Sequence, residues 1–224
     1  MISTVLFDLD GTLLDSAPDL AAALNEQLQK HQRPPVPYRL LRPHASSGAR
    51  GMLRGGFDVG PESPEYHALK LEFLEIYERN LLAHTQFFPR VPDLLLNIER
   101  TGRRWGIVTN KAEHLTRPLL KHFELSERSA CVVCGDTTPY SKPHPAPLLE
   151  AARRMSVAPI ECLYVGDDER DITAARAAGM HSVAARYGYV GATTVPEHWG
   201  ADGIIDSPME LLKLLSTSPY GGNR

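Results

Sequence analysis

The sequence has little that would tie it to a membrane, a nucleic acid or an oxidising compartment. No apolar stretch approaches the roughly 18 residues that a bilayer span requires. Three cysteines, an odd number in 224 residues, make no disulfide framework. Lys and Arg number 24 against 27 Asp and Glu, so the net charge is −3 and the clustered basic excess typical of nucleic-acid binding is missing. The N-terminus carries no basic leader and places Asp8 where a secretory signal would still be apolar. There is no internal repeat, the nine histidines show no metal spacing, and no Gly-x-Ser-x-Gly occurs. What is present is an ordinary apolar share of 42%, enough for one core and a modest insert. These absences together predict a cytoplasmic enzyme, monomeric or homodimeric, without nucleic-acid or membrane partners.

Short apolar runs at Thr4–Phe7, Trp105–Val108, Ala130–Cys134, Cys162–Val165 and Ser182–Ala185 read as strands covered on both faces. Helical spacing lies between them, in Leu94, Leu95 and Ile98, in Leu115, Leu119 and Phe123, and in Leu148, Leu149 and Ala152. That alternation predicts an α/β fold with a Rossmann-like parallel sheet. Between Asp15 and Leu82 the rhythm breaks, and only helical patterns separated by Pro and Gly remain. Ala17–Lys30 opens on an Asp15/Ser16 cap candidate with Pro18 in its first turn, and Tyr66–Leu82 is a second amphipathic helix. The expected organisation is a catalytic core of residues 1–15 and 83–215, an inserted all-helical cap of 16–82, and a loose tail of 216–224.

In open α/β sheets, ligands bind beyond the carboxyl ends of the strands. Those ends read Asp8-Leu9-Asp10-Gly11-Thr12, Thr109-Asn110-Lys111, and Gly166-Asp167-Asp168-Glu169-Arg170-Asp171, with Ser141-Lys142-Pro143 between the last two. Asp8, Asp10, Asp167 and Asp171 in one crevice would repel one another without a cation or protons. Their oxygen donors suit a hard divalent ion, Mg²⁺. With Lys142 and Thr109 on the remaining oxygens, the set describes phosphoryl transfer, in which one carboxylate attacks phosphorus and its companion moves the protons. Gly11 and Thr12 permit a tight turn and are expected to offer backbone N–H groups to the phosphate.

The four motifs, in this order, resemble those of the haloacid dehalogenase superfamily of phosphohydrolases, and the helical insert resembles that family's C1 cap. The resemblance implies Asp8 as nucleophile and Asp10 as general acid/base. It implies Mg²⁺ held by Asp8, the Asp10 backbone carbonyl and Asp167, with Asp171 supporting the metal's surroundings. Phe7–Ser16 and the stretch from Lys142 to Leu149 look like phosphoglycolate phosphatases, which implies 2-phosphoglycolate as substrate. N-acetylmuramic acid 6-phosphate phosphatases share these features and supply the alternative, with a phosphosugar mutase a further one. Where such relatives often carry Gly-Asp-Ser, this chain has Gly166-Asp167-Asp168.

Cys131 and Cys134 match a redox spacing, but on a strand they would point to opposite faces, so buried packing is the expectation. His144 reads as structural, and Tyr187–Gly191 as a Gly-rich loop. In the insert, Ser47 and Arg50 are candidates for a substrate that carries a carboxylate beside its phosphate; Asn110 joins the substrate-binding set. Arg50 is expected near a helix start with Met52 and Leu53 facing inward, and it either reads substrate or pairs with a core acid.

Overall fold

The structure, a computed structural model, describes residues 2–191 and 194–217. Its strands are β1 (Thr4–Phe7), β2 (Leu14–Asp15), β3 (Gln86–Phe87), β4 (Arg104–Val108), β5 (Val132–Val133), β6 (Cys162–Gly166), β7 (His181–Ala185) and β8 (Gly203–Ile205). Six of them form a parallel sheet in the order β5-β4-β1-β6-β7-β8. The chain runs outward from β1 on one side and then crosses to β6 on the other. A crevice therefore opens where β1 and β6 diverge, the place where such sheets bind ligands.

Side chains along β1 alternate between the sheet's two faces. Val5 and Phe7 join Leu94, Leu95 and Ile98 in one cluster, while Leu6 joins Tyr164, Leu148 and Ala174 in another. The helices are α1 (Ala17–Lys30), α2 (Tyr38–Leu41), α3 (Gly48–Phe57), α4 (Tyr66–Arg79), α5 (Val91–Arg100), α6 (Glu113–His122), α7 (Leu125–Arg128), α8 (Ala146–Met155), α9 (Glu169–Ala177) and α10 (Glu210–Ser216). A 3₁₀ turn, Arg42–Ser47, joins α2 to α3. None of the described helices is long and apolar enough to cross a membrane.

Helices α1 to α4 pack together over Leu24, Met52, Leu53 and Phe73, all fully buried. The polypeptide passes between them and the sheet twice, and the two passages pair as the antiparallel strands β2 and β3, Leu14 opposite Phe87. Asp19 of α1 accepts from both the N–H and the hydroxyl of Thr85, at 2.9 and 2.7 Å, and ties the same junction.

Several local expectations need correction. The segment 130–134 bonds to β4 from the Ala130 N–H to the Val133 carbonyl, but only Val132–Val133 is regular strand. Leu149 is 42% exposed, because the buried stripe of α8 runs through Leu148, Ala151, Ala152 and Met155. Helix α4 stops at Arg79, three residues short of Leu82. Strands β2, β3 and β8, two or three residues each, had no apolar run to announce them. Ser216 ends a helix instead of opening a tail, and residues 218–224 lie outside the described residues.

The loop after β7 is a brace. The Tyr189 hydroxyl accepts the N–H groups of Ser16 and Ala17, at 2.6 and 2.9 Å, and lies 3.0 Å from Asp15 Oδ1. It serves the start of α1 in place of a side-chain cap, which Ser16 does not supply. Tyr189→Phe would leave buried N–H groups without an acceptor and is expected to cost about 1–2 kcal/mol. A lower urea midpoint at unchanged m-value would show it.

Candidate active site

Lys142 is the centre of the crevice. Its Nζ lies 2.8 Å from Asp8 Oδ1, 2.7 Å from Asp171 Oδ1, 2.8 Å from the Tyr164 hydroxyl and 3.1 Å from the Val108 carbonyl. Four acceptors crowd three N–H donors, and the Tyr164 hydroxyl relieves this by donating to the Val108 carbonyl itself at 2.8 Å. Burial alone would depress the lysine's pKa, but the charges of Asp171 and Asp8 outweigh it and hold the ammonium above its usual range. The backbone of Lys142 is fixed as well. The Asn110 side chain accepts its N–H and donates to its carbonyl, both at 2.9 Å.

Around that ammonium, Asp8, Asp167 and Asp171 bring carboxylate oxygens within 4.8 Å of one another. Burial pushes Asp8 up to about 7, with Lys142 opposing and Asp171 adding to the rise. Asp167 is pushed well above the usual carboxylate range by burial and then by the charges of Asp8 and Asp171. One lysine does not compensate three acids. Hard oxygen donors, buried, with excess negative charge, fit a divalent cation such as Mg²⁺. The backbone around Asp167 leaves no slack: a Cβ on Gly11 (φ +89°) would come 2.2 Å from Asp167 Oδ2, and one on Gly188 2.3 Å from Asp167 Cβ.

Asp10 sits apart from this group. It accepts from the Ser16 hydroxyl at 2.5 Å and from Lys111 Nζ at 3.0 and 2.9 Å, one contact to each oxygen. Lys111 also donates to the Tyr77 hydroxyl at 2.9 Å, which links Asp10 to α4. Burial opposes the charge on Lys111, yet Asp10 and Tyr77 raise its pKa above the ordinary lysine value.

Asp8 and Asp10 open onto a cavity of about 290 Å³ between the sheet and the helical insert. Asp8, Asp10 and Thr109 line one end, Phe73 and Leu74 form an apolar wall, and Arg50, Lys70, Lys111 and Arg170 bring positive charge. Arg50 and Lys70 have no hydrogen bond or ion pair among the described residues.

The residues and their order are those of a known family. The family model described as haloacid dehalogenase-like hydrolase matches residues 5–185. This chain belongs to that family. Similar proteins include an N-acetylmuramic acid 6-phosphate phosphatase of Pseudomonas putida, 41% identical over 98% of this chain and 99% of the relative. A phosphoglycolate phosphatase of Xanthomonas campestris pv. campestris is 47% identical over 92% of this chain and 93% of its own length. A crystal structure from Haemophilus somnus, named a "predicted phosphoglycolate phosphatase", superposes with a TM-score of 0.83 at 29% identity, covering 95% of this chain and 97% of that one.

Within this member of the family, the structure gathers Asp8, Asp10, Thr109, Lys142, Asp167 and Asp171 into the crevice, but it changes what several neighbours do. Gly11 and Thr12 do not line the cavity. Their N–H groups are spent on the Leu14 and Leu9 carbonyls, at 2.9 and 3.4 Å, and the Thr12 hydroxyl faces Asp167. Asn110 borders the cavity, but its amide is committed to Lys142. Ser47 and Arg50 line the cavity, and Met52 and Leu53 are buried on α3. Among the described residues, Arg50 pairs with no core acid. Asp168 turns away from the other acids: it caps α9 by accepting the Arg170 N–H and forks onto the Arg170 guanidinium at 2.7 and 2.9 Å.

His144 accepts the Ala146 N–H at Nδ1 and stacks on Tyr140, outside the cavity. Cys131 and Cys134 are free, buried thiols, and burial raises both pKa values. Sequence reasoning passed over Lys111, Ser46 and Arg170. Lys111 carried a faint signal, standing two residues after Thr109 at a strand end.

Proposed function

We propose that the chain is a Mg²⁺-dependent phosphomonoesterase for a small phosphate ester that also bears a carboxylate. The observation that carries this reading is the buried contact of Asp8 with Lys142, 2.8 Å, beside Asp167, with Asp8 lining a cavity that Arg50 and Lys70 also line. Asp8 attacks phosphorus through a carboxylate oxygen. A new O–P bond forms as the ester P–O bond breaks, and Asp10 gives the leaving alkoxide its proton. Water then attacks the aspartyl-phosphate, Asp10 takes a proton from it, and inorganic phosphate leaves with Asp8 restored. Lys142 and Thr109 hold phosphoryl oxygens, and Asn110 and Asp171 hold Lys142 in place. Asp8, the Asp10 carbonyl and Asp167 would hold Mg²⁺, which supplies charge neutralisation at the phosphoryl group.

Two substrates meet the description. 2-Phosphoglycolate is the substrate named for relatives at 47% identity. N-acetylmuramic acid 6-phosphate is the substrate named for a relative at 41% identity. The apolar wall of the cavity, Phe73 and Leu74, suits its acetamido methyl and its lactyl group. Phosphate release from both acids and from p-nitrophenyl phosphate, with and without Mg²⁺, tests the reading. Either acid should exceed p-nitrophenyl phosphate in kcat/KM by about tenfold or more, since a charge-assisted hydrogen bond from the exposed Arg50 contributes about 1.5 kcal/mol or more. Arg50→Ala is expected to raise KM for the carboxylated substrate about tenfold and leave that for p-nitrophenyl phosphate nearly unchanged. Equal effects on both would remove Arg50 from substrate recognition.

A further inference from the structure

Among the described residues, helices α1 to α4 and their connections reach the cluster of Asp8, Asp167 and Asp171 through one hydroxyl. Ser46, in the 3₁₀ turn ahead of α3, donates from Oγ to Asp167 Oδ2 at 3.1 Å. The same oxygen accepts the Tyr189 N–H at 2.8 Å, and the Thr12 hydroxyl faces the other oxygen at 3.4 Å. Tyr189 and Thr12 belong to the sheet side, whereas Ser46 lies in the helical insert. Ser46 is itself held from the sheet side, because its carbonyl accepts from Arg170 at 2.8 Å. Arg170 is aligned by the Asp168 fork, so the acid that departs from the usual Gly-Asp-Ser aims a guanidinium at the insert. A chain of contacts thus runs from Asp168 through Arg170 and Ser46 to Asp167.

We infer that Ser46 is a positioning residue that couples divalent-cation binding to docking of the helical insert, by orienting the Asp167 carboxylate from across the crevice. The inference rests on the reading of Asp167 as a metal ligand given above. The hydroxyl and the Tyr189 N–H together fix the rotation of the carboxylate and leave its remaining lone pairs for the ion. Partners of this kind, hydrogen-bonded to a ligand and not to the metal, typically change affinity 10–100-fold. The coupling is reciprocal: if docking of the insert improves the metal site, metal binding holds the insert down by the same factor. An undocked insert would leave the Asp167 carboxylate held from the sheet side alone, by the Tyr189 N–H and the Thr12 hydroxyl, and the site would bind its cation more weakly. Cation binding and a closed cavity would then be two expressions of one equilibrium.

Calorimetric titration of the full chain with Mg²⁺ alone tests this without reference to turnover. Ser46→Ala is expected to weaken the Mg²⁺ Kd by about tenfold, and Ser46→Thr, which keeps the hydroxyl, to stay within about threefold of the wild type. In hydrogen exchange, Mg²⁺ should slow the amides of residues 42–57 in the wild type and do so less in Ser46→Ala. Arg170→Gln, which frees the Ser46 backbone but keeps its hydroxyl, should shift the Kd in the same direction, and it stands in if Ser46→Ala folds poorly. A Kd for a folded Ser46→Ala or Arg170→Gln within twofold of the wild type would overturn the coupling and leave the proposed activity standing. No Mg²⁺ binding by the wild type would overturn both.

Discussion

Replacing Asp8 with Asn is expected to abolish Mg²⁺-dependent phosphate release, by at least about four orders of magnitude in kcat, while the fold survives. Removing the attacking group of a covalent catalyst is costly on this scale because the neighbouring groups act only through the intermediate it forms. The fold should tolerate the change because the carboxyl of Asp8 is already uncomfortable. Burial and Asp171 push it up to about 7, and the neutral amide removes one of the negative charges crowding Lys142. Asn keeps the shape and retains an oxygen to accept the lysine's N–H, now at 2.8 Å from Asp8 Oδ1. The metal-free variant should therefore melt at or above the wild-type temperature. Activity on p-nitrophenyl phosphate with Mg²⁺ is the decisive assay, since a good leaving group needs little help from Asp10. Retained activity there would rule out Asp8 as the nucleophile.

How much of this was legible in the chain depends on the range of each signal. The central strands are runs of apolar residues buried on both faces, so Thr4–Phe7 and Cys162–Val165 announce themselves locally, and the rule that ligands bind at strand ends then points to Asp8 and Asp167. The short strands β2, β3 and β8 are stabilised by what they pair with, and a two-residue strand has no periodicity to detect. Leu149 adjoins a buried leucine, but one helical step of rotation turns it outward. The supporting contacts were hidden for a different reason. Ser46 meets Asp167 across 121 residues and Lys111 meets Asp10 across 101, and nothing in either neighbourhood distinguishes Ser46 from Ser47 or Lys111 from a solvated lysine. The backbone N–H groups of Gly11 and Thr12 show the converse failure. A glycine turn behind a strand suggests a phosphate cradle, but here the turn closes on its own carbonyls, and the glycine is needed because Asp167 leaves no space for a Cβ.

Lys142→Met is expected to have the second large effect, and it separates structure from catalysis. Methionine matches the length and unbranched shape of lysine, so the packing beneath Tyr164 is kept while the charge is lost. The Lys142 side chain is 3% exposed, and its ammonium is the only cation within hydrogen-bond range of Asp8 and Asp171 among the described residues. Without it these acids, with Asp167 alongside, form a buried negative cluster lacking any counter-charge, and breaking a buried ion pair from one side typically costs about 3–5 kcal/mol. Loss of the lysine's contact with a phosphoryl oxygen should lower kcat by a further route, about 10²–10³-fold, the scale of removing one preorganised donor. The two effects respond differently to Mg²⁺. Divalent charge placed among Asp8, Asp167 and the Asp10 carbonyl can replace the missing counter-charge, so the melting-temperature gap between variant and wild type should narrow as Mg²⁺ is raised. It cannot replace an N–H donor aimed at the substrate, so kcat should remain low at saturating Mg²⁺. A metal-free variant as stable as the wild type would show that Lys142 does not balance the acids; kcat recovered by Mg²⁺ would show that it does not bind the phosphoryl group.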